Sequence, residues 1–183
     1  QITLGNFLNK ARAKAILRAR GILTPEYRTL KKTKRFTEKE IRLNYPMILK
    51  LMNEDASIGI SELSVVNNYT ELRKQFSFLV ETYNQDVILE EYIQGRELNV
   101  AILGGKALPI SEINFEGLPE EFPNIVTYDG KWTDGSVYYN YTKPVCPASL
   151  KERTKKKVHS TALAAYDALN CRDYSRVDIR LSN

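Results

Sequence analysis

Apolar residues recur three and four apart over residues 4–20, with Leu4, Phe7, Leu8, Ala11 and Ala15 on one face. This spacing predicts a helix that Gly21 ends. An extended stretch over 22–28, holding Pro25, is followed by a polar connector or short helix over 31–44. Residues 47–52 form an apolar run of strand length interrupted by Lys50, and 58–66 alternate weakly as another strand. Asn68 with Glu71 makes a capping box ahead of Leu72, Phe76, Leu79, Val80 and Tyr83, the apolar face of a helix. A strand is predicted over 86–93. Two more, over 97–103 and 106–113, are joined by Gly104-Gly105, a hairpin signal because both turn positions accept positive φ. Residues 114–147 are rich in Gly, Pro and Tyr without clear period, and loops this long are usually functional or mobile. Ser149 and Glu152 give a second capping pattern before a helix with Val158, Ala162, Ala165, Tyr166 and Leu169 inside, and strict alternation returns over 174–181. The order predicts an α+β chain with mostly antiparallel sheets and no internal repeat.

Composition narrows the chemistry. A chain of 183 residues that is 43% apolar can bury a real core, as one domain or two small ones. No apolar run approaches a membrane span, so no membrane partner is expected. The sequence starts at Gln1 with neither methionine nor a signal peptide, and reads as a piece of something longer. The net charge of +5 gathers in two runs, 28–39 and 151–157. Neither is interleaved with aromatics, so both read as solvated faces and nucleic acid is not the expected partner. Cys146 and Cys171 stand alone, which argues against a zinc ribbon or CxxC site and suits a reducing compartment. His159 is the single histidine and reads as exposed. It excludes zinc sites with two or more histidines and argues against a Ser-His or Cys-His hydrolase. Chemistry is left to Lys, Arg, Asp, Glu and backbone amides.

Three segments could carry it. Lys50 sits in an apolar strand, where lysine is rarely buried without a partner, and a small polar loop ending on Ser57 and Gly59 follows at once. A strand-end cation beside amide-rich backbone suits a phosphate, although an edge strand with its lysine in water fits the same pattern. In residues 176–181, period two puts Val177, Ile179 and Leu181 on one face and Arg176, Asp178 and Arg180 on the other. That second face is either solvated or lines a polar site, the arginine suiting phosphate or carboxylate and the aspartate a magnesium ion. Glu90-Glu91-Tyr92-Ile93 with Glu97 is either a solvated strand end or an edge for adenine and ribose, with Gly95 letting the chain turn between them.

In this order the segments resemble the ATP-grasp superfamily, and within it the D-alanine–D-alanine ligases. The resemblance runs through Asn9-Lys10, residues 46–50, Ser57-Ile58-Gly59, residues 89–97, residues 128–132, Cys146-Pro147-Ala148 and Arg176-Val177-Asp178. It implies two α+β subdomains, 1–93 and 94–183, with a nucleotide cleft between them. Lys10 and Lys50 would hold ATP phosphates, and the loop 54–59 would close over them through Ser57. Glu90 and the backbone of Glu91 and Ile93, with Tyr92 beside them, would hold adenine, and Glu97 ribose. Lys131 would fold over the γ-phosphate as a lid, Arg176 would orient the transferring phosphoryl group, and Asp178 would bind Mg2+. The implied reaction is ATP-dependent ligation of a carboxylate to an amine through an acyl phosphate, in the cytoplasm, on amino acids or other small acids and amines. Catalysis would rest on positioning and charge neutralisation. The resemblance also allows a homodimer of the intact protein.

The chain departs from that pattern at Ala56, where the family usually has serine, at Trp132, where it has tyrosine, and at Asp55, commonly glycine. These changes open the reading to another acid or amine substrate. The family also has a domain before the first helix and a returning strand with Glu-x-Asn after Arg-x-Asp, so the 183 residues alone are expected to be inactive with an incomplete metal site. The reading from another class is a non-catalytic nucleotide- or nucleic-acid-binding module.

Overall fold

The computed structural model describes residues 2–182, apart from the side chain of Ile2. In chain order the elements are α1 (Ile2–Phe7), α2 (Lys10–Ala19), β1 (Tyr27–Leu30), α3 (Glu38–Ile41), β2 (Met47–Leu51), a 3-10 turn (Glu62–Ser64), β3 (Val65–Val66), α4 (Tyr69–Tyr83) and β4 (Val87–Glu91). There follow β5 (Arg96–Leu103), β6 (Lys106–Ala107), β7 (Ser111–Asn114), α5 (Tyr128–Trp132), α6 (Val137–Tyr141), β8 (Lys143–Val145), α7 (Glu152–Ala168) and β9 (Tyr174–Leu181). A first sheet has the order β1-β4-β2-β3. In the second, β6 and β7 share one edge of β5, β9 takes the other, and β8 adds to β7. All these pairings are antiparallel.

Register sorts the side chains. In the β2–β4 pair Ile48 faces Glu90 and Lys50 faces Ile88, so these four share one face of the first sheet. Met47, Leu49, Leu51, Val87 and Leu89 take the other, where they pack with Leu72 and Leu79 of α4. In the β5–β9 pair Glu97 faces Arg180, Asn99 faces Asp178 and Ala101 faces Arg176, which makes one polar face. The opposite face, with Leu98, Val100, Val177 and Ile179, packs on Val158, Ala162 and Tyr166 of α7. A third cluster of Ile48, Ile125 and Tyr138 with Tyr92 and Phe122 seats the 115–142 segment on the first sheet.

Several expectations need correction. The helix over 4–20 is broken at Asn9, whose side chain accepts from Arg12 N at 2.9 Å and donates to Asn53 at 3.0 Å. That cap starts α2 at Lys10, against the end of β2. Of 58–66, only Val65 and Val66 pair with β2, because Ser61 caps a 3-10 turn just before them. The strand over 106–113 divides into β6 and β7 around Pro109, which has no N–H for a ladder. Residues 114–147 hold α5, α6 and β8 rather than plain loop. The Ser149/Glu152 capping box does not form, since α7 begins after Lys151 without a side-chain cap. His159 is half-buried, its Nε2 enclosed without a partner, rather than exposed.

Candidate functional site

The polar face of β2 and β4 carries a buried charge cluster. Glu90, 3% exposed, holds Lys50 Nζ on Oε2 at 2.9 Å and Lys14 Nζ, from α2, on Oε1 at 3.3 Å. Burial pushes the Glu90 carboxyl up, but the two ammonium groups outweigh it and hold it below the ordinary range. Burial lowers Lys14 despite Glu90. Lys10, one helical turn before Lys14, donates to the carbonyls of Leu51 (2.9 Å) and Glu54, fastening the start of the loop after β2. Burial and the neighbouring Lys50 lower Lys10 to about 8. Two lysines, Lys14 and Lys50, thus share one buried carboxylate, and Lys10 stands close by on backbone carbonyls.

The loop itself is bent through two left-handed residues, Ala56 (φ 49°) and Ser57 (φ 62°), a conformation that costs a non-glycine residue of order 1 kcal/mol or more. Contacts from the 126–132 segment hold it there. Ser57 Oγ donates to Val126 O at 2.9 Å, Trp132 Nε1 donates to Ala56 O at 3.2 Å, and Tyr128 N donates to Ile60 O at 2.9 Å. The indole therefore engages a backbone carbonyl and needs no side chain at position 56. Beside this seam Lys131 is lowered by burial and then by Arg176, with Asp178, Glu97 and Asp55 opposing.

On the second sheet Asp178 accepts from Arg176 on both oxygens, at 2.8 and 3.1 Å, and from Asn99 Nδ2 at 2.9 Å. Glu97 pairs with Arg180 at 3.1 Å. Burial raises its carboxyl, Arg180 opposes, and the Asp178 charge raises it further. Arg180 also donates to the carbonyls of Ile93 and Asn124, each at 3.0 Å, and to Tyr92 Oη at 3.3 Å. One guanidinium thereby ties β9, the strand end after β4 and the 115–142 segment. The Glu91 amide donates to Glu26 O at 2.9 Å, so that N–H is already engaged.

Lys10, Lys50, Ser57, Glu90 and Lys131 thus border one loop and its cover. Glu97, Arg176 and Asp178 share the adjoining face of the second sheet, near enough for Lys131 to feel all three and Glu97 to feel Lys50. Lys14, Asn99 and Arg180 join the cluster without having been assigned a role from sequence. Arg180 had a signal, the alternation it shares with Arg176 and Asp178; Lys14 had its spacing of four from Lys10. Two concavities of about 240 Å3 lie elsewhere, around Lys34, Arg35 and Phe36 in the basic run, and touch none of these residues. Among the described residues no three His, Cys, Asp or Glu side chains gather as a metal site, and no helix is long and apolar enough to cross a membrane.

The family model for the D-ala D-ala ligase C-terminus matches residues 16–183. The chain belongs to that ligase family. Within it, the D-alanine–D-alanine ligase of Nitrosomonas europaea is 33% identical over 175 residues, 95% of this chain and 52% of that protein. The structure of the Bacillus anthracis D-alanine–D-alanine ligase complexed with ATP matches 100% of this chain and 53% of its own, with TM-score 0.76 and 26% identity. The VanG D-Ala:D-Ser ligase of Enterococcus faecalis matches 99% of this chain and 50% of its own, with TM-score 0.75 and 27% identity. The fold of this ligase-family chain is therefore ATP-grasp. The chain spans about half the length of the curated relatives it matches.

Proposed function

We propose that this chain carries the nucleotide and phosphoryl-transfer site of an ATP-dependent carboxylate–amine ligase of the D-alanine–D-alanine ligase type, working through an acyl phosphate in the cytoplasm. The observation that carries the reading is the excess of cations around one closed loop: Lys10, Lys14 and Lys50 against Glu90, with Lys131 and Arg176 beside them. Such an array suits a polyphosphate. In this reading the two subdomains, 1–93 and 94–183, close on ATP.

Lys10 and Lys50 hold phosphate oxygens under the loop of Ser57, and Lys131 covers the γ-phosphate. The strand end of Glu90, Glu91, Tyr92 and Ile93 borders adenine, and Glu97 borders ribose. Glu90 acts from below, through the lysines it holds, rather than as a free ligand of the base. Arg176 steers the transferring group and the substrate carboxylate. Asp178 suits Mg2+, which usually takes one or two carboxylates together with substrate phosphates. The ion would neutralise phosphate charge there, and Arg176 would leave Asp178 for the phosphates. A ligase joining another acid or amine is favoured by one feature, the Trp132–Ala56 contact, which closes the loop without a side-chain hydroxyl at either position.

Trp132 is the single tryptophan and lies on the cover, so its fluorescence is the signal to follow. Titration of the chain with ATP and magnesium should change that emission, and calorimetry should give a matching affinity that Lys50→Met weakens at least tenfold, the worth of about one charge-assisted contact. No heat and no emission change at millimolar ATP, or binding indifferent to Lys50→Met, overturns the reading.

A further inference from the structure

Lys14 is a buried cation of that array with no part of its own yet assigned in holding the nucleotide. Its ammonium lies 3.3 Å from Glu90 Oε1, on the side of the carboxylate away from Lys50, and its side chain is 13% exposed against 30% for Lys50. Lys50 is thus the more exposed partner, and Lys14 is the more enclosed. The Tyr27 ring 5.8 Å from its ammonium and Arg18 one turn further along α2 complete its surroundings. A carboxylate in this position needs one cation to be neutralised. A second, brought in at the cost of its own desolvation, is not required for that purpose.

Electrostatics supplies a use for it. With Lys50 alone, Glu90 would form a closed neutral pair, and the ammonium would offer no net charge to a phosphate. With Lys14 on the opposite oxygen, Glu90 is matched from behind and the Lys50 charge stays uncancelled at the mouth of the loop. We propose that Lys14 is a positioning residue for phosphate recognition: it takes up the Glu90 carboxylate so that Lys50 is both held in place and left electrostatically free. This inference rests on the reading of Lys50 as a phosphate-binding residue.

The test compares ATP with adenosine, which lacks the phosphates, by calorimetry on the unaltered chain and on Lys14→Met, Lys14→Arg and Lys14→Met/Glu90→Gln. Circular dichroism and melting curves show which variants are folded. Lys14→Met should weaken ATP about tenfold, the worth of roughly one charge-assisted contact, and leave adenosine within about twofold. Lys14→Arg keeps the charge and should restore ATP. The double variant removes the carboxylate that Lys14 was matching, frees Lys50 again, and should recover most of the loss. Equal losses for ATP and adenosine, as a purely structural role would give, overturn the inference. So does a double variant as weak as Lys14→Met, or a Lys14→Met variant that binds ATP normally. If Lys14→Met does not fold, the arginine and double variants decide alone: ATP binding lost in either one, while adenosine binding persists, overturns the inference. An unaltered chain that binds no ATP removes the underlying reading instead, and the inference with it.

Discussion

Replacing Glu90 by glutamine keeps the shape of the side chain and removes the one charge that two lysines share. The wild-type carboxylate is 3% exposed and lies 2.9 Å from Lys50 and 3.3 Å from Lys14. Without it, two like charges face each other across a site from which water is largely excluded. Removing one partner of a buried ion pair costs about 3–5 kcal/mol. Lys50 keeps some solvent, so the lower end, about 3 kcal/mol, is expected. That is a large share of the roughly 5–15 kcal/mol that holds a domain folded. With a urea slope of about 2 kcal/mol per molar, the unfolding midpoint should fall by about 1.5 M near neutral pH. The pH dependence follows from the sign of the shift. The Glu90 carboxyl is held below its ordinary range, so its stabilisation is complete above the unfolded-state carboxyl pKa and is lost as pH falls through the folded-state value. The two proteins should therefore converge as the solution is acidified, because protonated Glu90 is nearly isosteric with glutamine. Urea curves at neutral pH and at steps toward pH 3 measure this. A neutral-pH difference below about 1 kcal/mol, or one that stays constant on acidification, refutes the argument that Glu90 is the buried counter-charge.

Two further outcomes are expected. A Cβ at Gly95 would lie 2.1 Å from Leu181 O on a backbone with φ +138°, so Gly95→Ala should cost about 3 kcal/mol and lower Tm by about 6–12 °C. A drop under about 2 °C would show that the junction yields freely. Lys10 loses its proton from about 8 upward rather than near 10.5, so ATP affinity should be highest below that pH and decline above it as the ammonium is lost. Calorimetry across the range checks this, and Lys10→Arg, which stays charged, should flatten the decline.

Much of the candidate site was legible because strands impose a period of two. Once 47–52 and 176–181 read as strands, Lys50 had to share a face with its alternate neighbours, and Arg176 with Asp178 and Arg180. Partners were not legible in the same way. Nothing local says that Glu90 lies diagonally across from Lys50, because that follows from the β2–β4 register, forty residues apart in sequence. The break at Asn9 was hidden by the helical spacing on either side, which continued through it. It appears only because Asn9 finds Asn53 and the end of β2. The segment 114–147 lacked periodicity since its helices are about one turn long and are held by Ile125 and Tyr138 seating on the first sheet.

The sequence by itself determined which residue types were available for chemistry, the alternation that gathers the charges of β9, and the motif order of an ATP-grasp chain. Local spacing suffices for these, since side-chain direction within a strand or helix is a property of the backbone. Tertiary structure alone decided which charges meet. It brought Lys14 behind Glu90, turned the Trp132 indole onto the Ala56 carbonyl, and bound three segments through Arg180. The reason is physical: the free energy of a buried charge depends on the groups that replace its water, and those come from elements distant along the chain.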